Sequence, residues 1–88
     1  MIKKFYISGT VQGVGYRYTI SRKFRNLNLC GWIKNLPDGR VEVVTEFDDS
    51  RLDEIVEILK YSCYSARVIE IEMMDCFEPL PDNFEIKF

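Results

Sequence analysis

Two glycines one residue apart, followed at once by an aromatic residue and an arginine, concentrate anion-binding chemistry in Val11-Gln12-Gly13-Val14-Gly15-Tyr16-Arg17. Gly13 and Gly15 can take backbone angles closed to other residues. The amides of Gln12, Gly13, Val14, Gly15 and Tyr16 can therefore curl round one anion. A helix beginning here adds its unpaired N–H groups and the positive end of its dipole. Arg17 adds a permanent charge and a planar fork of donors suited to a phosphate face. The guest that this combination favours is a dianionic phosphoryl group. The same spacing also suits a tight turn ahead of a helix, with Arg17 as a solvated first-turn residue. Asn35, eighteen residues beyond Arg17, lies within Gly31-Trp32-Ile33-Lys34-Asn35-Leu36-Pro37-Asp38-Gly39-Arg40-Val41-Glu42. Its amide donates and accepts hydrogen bonds but cannot serve as a base at neutral pH. It could hold a small polar molecule, or simply begin a turn.

Other chemistries lack their residues. The chain has no histidine, which removes the usual base, relay and metal ligand together. Cys30, Cys63 and Cys76 are widely spaced, form no Cys-x-x-Cys pair, and have no histidine to complete a zinc set. Reduced structural thiols are the expectation. A cysteine-based phosphatase wants its thiolate six residues before the phosphate-binding arginine, and Val11 occupies that position.

Together the two segments resemble the acylphosphatase family, whose pattern runs Gly-x-Val-Gln-Gly-Val-x-Phe/Tyr-Arg and then Gly-Trp-Val-x-Asn, a polar turn with Gly, and Val. Gly9, Val11, Gln12, Gly13, Val14, Tyr16 and Arg17 fit the first part; Gly31, Trp32, Asn35, Gly39 and Val41 fit the second. The resemblance extends through Ala66-Arg67-Val68 to the closing Asn83-Phe84-Glu85-Ile86-Lys87-Phe88. Ser62-Cys63-Tyr64-Ser65 departs from it, because relatives usually carry a Gly/Pro-containing turn there.

The resemblance implies hydrolysis of the carboxyl–phosphate bond of acyl phosphates, with inorganic phosphate as product and without metal, cofactor or covalent intermediate. Arg17 and the loop amides would hold the phosphate, and Asn35 would orient the attacking water. The chemistry suits so sparse a site. Phosphoryl transfer has a loose transition state, so positioning and electrostatics can carry it. The leaving carboxylate is already stable as an anion, so no general acid is required. The side chain of Gln12 has two open readings, as a brace for the loop or as a bystander to its own amide. Trp32 reads as a packing residue. A non-catalytic anion-binding or interaction module is the alternative, since related domains also form parts of larger carbamoyl-transfer maturation proteins.

The elements that must position these groups follow from periodicity. Ile2 to Ser8 alternates, with Phe5 and Ile7 on one face of an expected strand. From Tyr16 the apolar positions are Tyr16, Ile20, Phe24 and Leu27, one stripe of a helix with Arg22, Lys23 and Arg25 off it. Cys30 to Asn35 and Arg40 to Phe47 read as a hairpin around Leu36-Pro37-Asp38-Gly39. Ser50 with Asp53 resembles a capping box, and Leu52, Ile55, Val56 and Leu59 continue at helical spacing. Val68 to Met73 alternates Ile69, Ile71 and Met73 with Glu70 and Glu72; Phe84, Ile86 and Phe88 close the chain as a short strand after Pro79 and Pro81. The order β-α-β-β-α-β plus a short C-terminal strand predicts a ferredoxin-like α+β sandwich, a mainly antiparallel sheet with two helices on one face.

The 88 residues are expected to form one domain spanning 1–88. No apolar run is long enough to span a membrane, and no signal-like h-region follows Met1. A cytoplasmic monomer acting on a small molecule is the expectation. Net charge is only −2, yet residues 1–40 hold eight basic side chains against Asp38, a net of +7, while the rest holds four basic against thirteen acidic, a net of −9. The half with the glycine loop would attract anions. RNA-recognition motifs share the element order, but their basic-Gly-aromatic strand motif is missing and the overall balance is acidic. No nucleic-acid partner is expected.

Overall fold

A computed structural model covers every residue, Met1–Phe88. The alternation at the N-terminus becomes a strand, Ile2–Thr10 (β1), with Phe5 and Ile7 fully buried. Helix Tyr16–Asn26 (α1) buries Tyr16, Ile20 and Phe24, spaced four apart, and places Lys23 and Arg25 in its last turn, where cations suit the negative dipole end. Strands Gly31–Asn35 (β2) and Val41–Glu46 (β3) form the expected hairpin. Asp38 closes its turn by accepting from the Arg40 amide at 3.0 Å and the Arg40 Nε at 2.8 Å, and these bonds hold its carboxyl below the usual carboxylate range. Helix Leu52–Tyr61 (α2) and strands Arg67–Asp75 (β4) and Phe84–Lys87 (β5) complete the chain.

The five strands form one sheet in the order β4-β1-β3-β2-β5, antiparallel except where β5 runs parallel to β2. One cluster joins Phe5 and Ile7 of β1, Ile33 of β2, Val41 and Val43 of β3 and Phe84 of β5 to Ile20 and Phe24 of α1 and Ile55 and Leu59 of α2. Both helices therefore cover the same face, as the ferredoxin-like reading requires. Each such buried side chain contributes about 1.5–3 kcal/mol of transfer free energy. Phe24 meets Phe84 edge-on, with ring centroids 5.1 Å apart. Tyr16 ties the two helices by donating from its hydroxyl to the Leu59 carbonyl at 2.7 Å. Burial pushes that phenol's pKa up, so it remains a neutral donor.

Three local features differ from the periodic reading. β4 does not present Ile69, Ile71 and Met73 on one face, because its register against β1 shifts between Ser8 and Gly9 and leaves Ile69 unpaired. Such a bulge inverts the alternation across itself. Val68 and Ile71 pack on the core, while Ile69 is 73% exposed. Second, Asp48 rather than Ser50 supplies the helix-start acceptor. Its side chain takes the Ser50 amide, and a short 3₁₀ turn, Asp49–Arg51, leads into α2. Third, Ser62-Cys63-Tyr64-Ser65 makes its turn without glycine or proline, closed by Ala66 N–H donating to the Cys63 carbonyl at 3.2 Å. The proline-containing loop after β4 lays Cys76 and Leu80 over Trp32 and Val44 on the face away from the helices. Trp32 packs there as expected and donates its indole N–H to buried Glu42 at 2.9 Å; Lys34 lies 3.8 Å from that carboxylate and Lys4 3.9 Å from it.

Gly31 is held at φ 141°, and a Cβ there would lie 1.8 Å from the Val44 carbonyl oxygen on the paired strand. Gly31→Ala is expected to cost about 3 kcal/mol or more, since both the left-half backbone angle and the clash with a rigid strand oppose it. Chemical denaturation reads this directly; a variant within 1 kcal/mol (about a fivefold change in the folding constant) would show that β2 and β3 separate at little cost.

Candidate active site

The loop between β1 and α1 carries Gly13 at φ 75° and Gly15 at φ 79°, both in the left-handed region that side-chain-bearing residues avoid. Gly15 is also the helix N-cap, so no side chain caps the helix start, and the first turn holds no acidic residue. The first helical bond runs from Thr19 N–H to the Gly15 carbonyl at 3.1 Å. None of the amides from Gln12 to Tyr18 donates to a backbone carbonyl. These donors and the dipole end suit an anion.

The loop is braced from the side. Gln12 Nε2 donates to the carbonyls of Leu36 and Arg40, each at 2.8 Å. Both carbonyls belong to the hairpin turn immediately after Asn35, the last residue of β2. Asn35 pairs with Val41, and Val41 in turn pairs with Ile7 near the end of β1, so the glycine loop and Asn35 leave the same end of the sheet.

Asn35 Oδ1 is buried and accepts no hydrogen bond from the protein. A buried acceptor without a donor costs about 1–3 kcal/mol. Arg17, in the first turn of α1, donates Nη1 to the Lys87 carbonyl at 3.1 Å and sets its guanidinium 4.8 Å from the Phe88 ring centroid. A guanidinium has five N–H donors, so most of this one's remain uncommitted to the protein.

Arg17, Asn35, Gly13, Gly15 and Tyr16 line one cavity of about 270 Å³, together with Val11, Tyr18, Ile86 and Phe88. The side chains of Gln12 and Val14 do not line it. The Gln12 side chain serves as the brace, and Val14 packs on the core while its carbonyl accepts from Cys63 Sγ at 3.7 Å. The three cysteines are unpaired, and none lines the cavity. No three His, Cys, Asp or Glu side chains gather to hold a metal ion.

The positive charge of the first half resolves into two groups. Lys3, Lys4, Lys34 and Arg40 pair with Asp75, Glu78, Glu42 and Asp38. Arg17, Arg22, Lys23 and Arg25, all on α1, have no carboxylate within salt-bridge reach. Unneutralised charge is thus carried by the helix that opens onto the cavity, where it draws anions toward the mouth.

The sequence pattern of the Acylphosphatase family matches residues 3–86. The chain belongs to the acylphosphatase family. Among its relatives is the acylphosphatase of Acaryochloris marina, 44% identical over 70 residues that make up 80% of this chain and 75% of that one. The acylphosphatase of Alkalilimnicola ehrlichii is 37% identical over 84 residues, 96% of this chain and 94% of that one. In three dimensions the chain superposes on the crystal structure of an acylphosphatase from Bacillus subtilis with a TM-score of 0.86, at 32% identity and over the whole of both chains.

Four residues that line the cavity were not among the candidates from sequence: Val11, Tyr18, Ile86 and Phe88. The closing alternation of Phe84, Ile86 and Phe88 is visible in the sequence. Its place beside β2 is not, because parallel pairing of two strands some fifty residues apart leaves no local spacing signal.

Proposed function

We propose that this acylphosphatase-family chain, acting as a single domain, hydrolyses the carboxyl–phosphate bond of acyl phosphates. Arg17 and the amides of Gln12, Gly13, Val14, Gly15 and Tyr16 hold the phosphoryl group, and Asn35 orients the attacking water. The observation that carries this reading is Asn35 itself, in the wall of the cavity shared with Arg17 and the uncapped helix start, with a carboxamide oxygen that no protein donor claims. A water hydrogen-bonded to the Asn35 carboxamide is held with a lone pair free for phosphorus. As it attacks, the bond from phosphorus to the acyl oxygen breaks and its electron pair leaves with the carboxylate, which needs no proton at neutral pH. The water's proton passes to a phosphate oxygen, since Asn35 cannot accept it. Negative charge gathering on the equatorial oxygens meets donors already in place.

The experiment is hydrolysis of benzoyl phosphate after dialysis against EDTA, with inorganic phosphate as a competitive inhibitor. Turnover is expected to survive chelation undiminished. Loss of turnover that added metal restores would overturn the metal-free mechanism. Phosphate binding with no turnover in either state would make the chain an anion-binding module instead.

A further inference from the structure

Phosphate has no use for the apolar part of the cavity. Beside Arg17 and Asn35 the wall is built from Val11, Tyr18, Ile86 and Phe88, and the two rings stand largely in solvent, Tyr18 at 62% and Phe88 at 102% of full exposure. At about 270 Å³ the cavity offers more room than a phosphoryl group and one water fill. Neither ring belongs to the core cluster. Each instead has a cation against it, Arg17 on Phe88 at 4.8 Å and Arg22 on Tyr18 at 5.6 Å, which restricts rings that would otherwise turn freely.

We propose that Tyr18 and Phe88 form an acyl-group subsite, so that this chain prefers acyl phosphates with flat apolar acyl groups, aryl above all, over small polar or methyl ones. The inference rests on the acyl phosphate reading of the same site. Carbamoyl, acetyl and aryl acyl phosphates share the reacting group, so the anion cradle treats them alike. They differ only in what projects beyond the carbonyl carbon. A phosphoryl group seated on the α1 start directs that portion toward the cavity mouth, where an aryl ring buries apolar surface and stacks edge-on or offset against the two side chains. A methyl or amino group buries little there. Because the contact is made before and during the reaction alike, it acts mainly through KM.

The test is kcat/KM for benzoyl phosphate and for acetyl phosphate, in the native chain and in Tyr18→Ala, Tyr18→Phe and Phe88→Ala. Tyr18→Ala and Phe88→Ala are each expected to lower the benzoyl-to-acetyl ratio about fivefold, chiefly through the benzoyl KM, and Tyr18→Phe to keep the native ratio. Equal losses on both substrates in Phe88→Ala would show that its ring serves only to hold Arg17. An unchanged ratio in both alanine variants overturns the subsite while leaving acyl phosphate hydrolysis standing. If the native chain hydrolyses neither substrate, the underlying reading fails, and the subsite with it.

Discussion

Arg17→Ala is expected to abolish competitive inhibition by inorganic phosphate and to lower kcat/KM for an acyl phosphate by about 10³-fold or more, the upper end of what removal of one preorganised donor does. A charge-assisted, two-pronged bond to phosphate is lost, and no other cation lines the cavity to replace it. Arg22, Lys23 and Arg25 remain on the helix and keep some long-range attraction, but attraction at a distance does not orient a phosphoryl group. Arg17→Lys is expected to fall between the two, with weakened phosphate inhibition, because the charge stays and the planar fork goes. The fold should tolerate both changes: the side chain is half-exposed and makes one hydrogen bond, to the Lys87 carbonyl. Phosphate affinity that is unchanged in Arg17→Ala would remove the clamp from the proposal, leaving the amides alone to bind the anion.

Asn35→Ala separates turnover from binding. We expect kcat to fall about 10²-fold or more while inorganic phosphate still inhibits at near-native concentrations. The structure adds a readout that a merely structural asparagine would not give. Because no protein donor reaches Oδ1, its removal breaks no protein hydrogen bond to that atom, and the melting temperature should hold. A buried polar group that no protein partner satisfies, kept in the cavity wall, is the pattern expected at a functional position. Near-normal turnover in this variant would end the water-holding assignment. A large drop in melting temperature would instead make Asn35 a turn-forming residue whose loss disturbs the hairpin.

The two predictions depend on residues that a reading of the chain alone could find, and the reason is local. Gly13 and Gly15 advertise left-handed angles because few other residues adopt them, and both sit at φ above 70° in the structure. The alternation of β1 and the four-residue stripe of α1 are each dictated within a dozen residues, by the need to bury one face. Elsewhere a partner segment overrides the local pattern. β4 alternates in sequence, but a register shift against β1 turned Ile69 outward. Ser50 has the type and spacing of a cap, yet it is the Asp48 side chain that accepts the Ser50 amide where the 3₁₀ turn begins.

The anion loop, the element order and the type of polar group available at each candidate position are legible along the chain, because they follow from backbone permissiveness and from hydrophobic period. Which side chains share a wall depends instead on packing in three dimensions. Gln12 could be either a brace or a bystander until the β2–β3 turn brought the Leu36 and Arg40 carbonyls within 2.8 Å of its amide. Phe88 became a neighbour of Arg17 only because β5 adds to the sheet edge in parallel with β2. Contacts of that kind are set by the packing of distant segments on a common core, and no spacing along the chain encodes them.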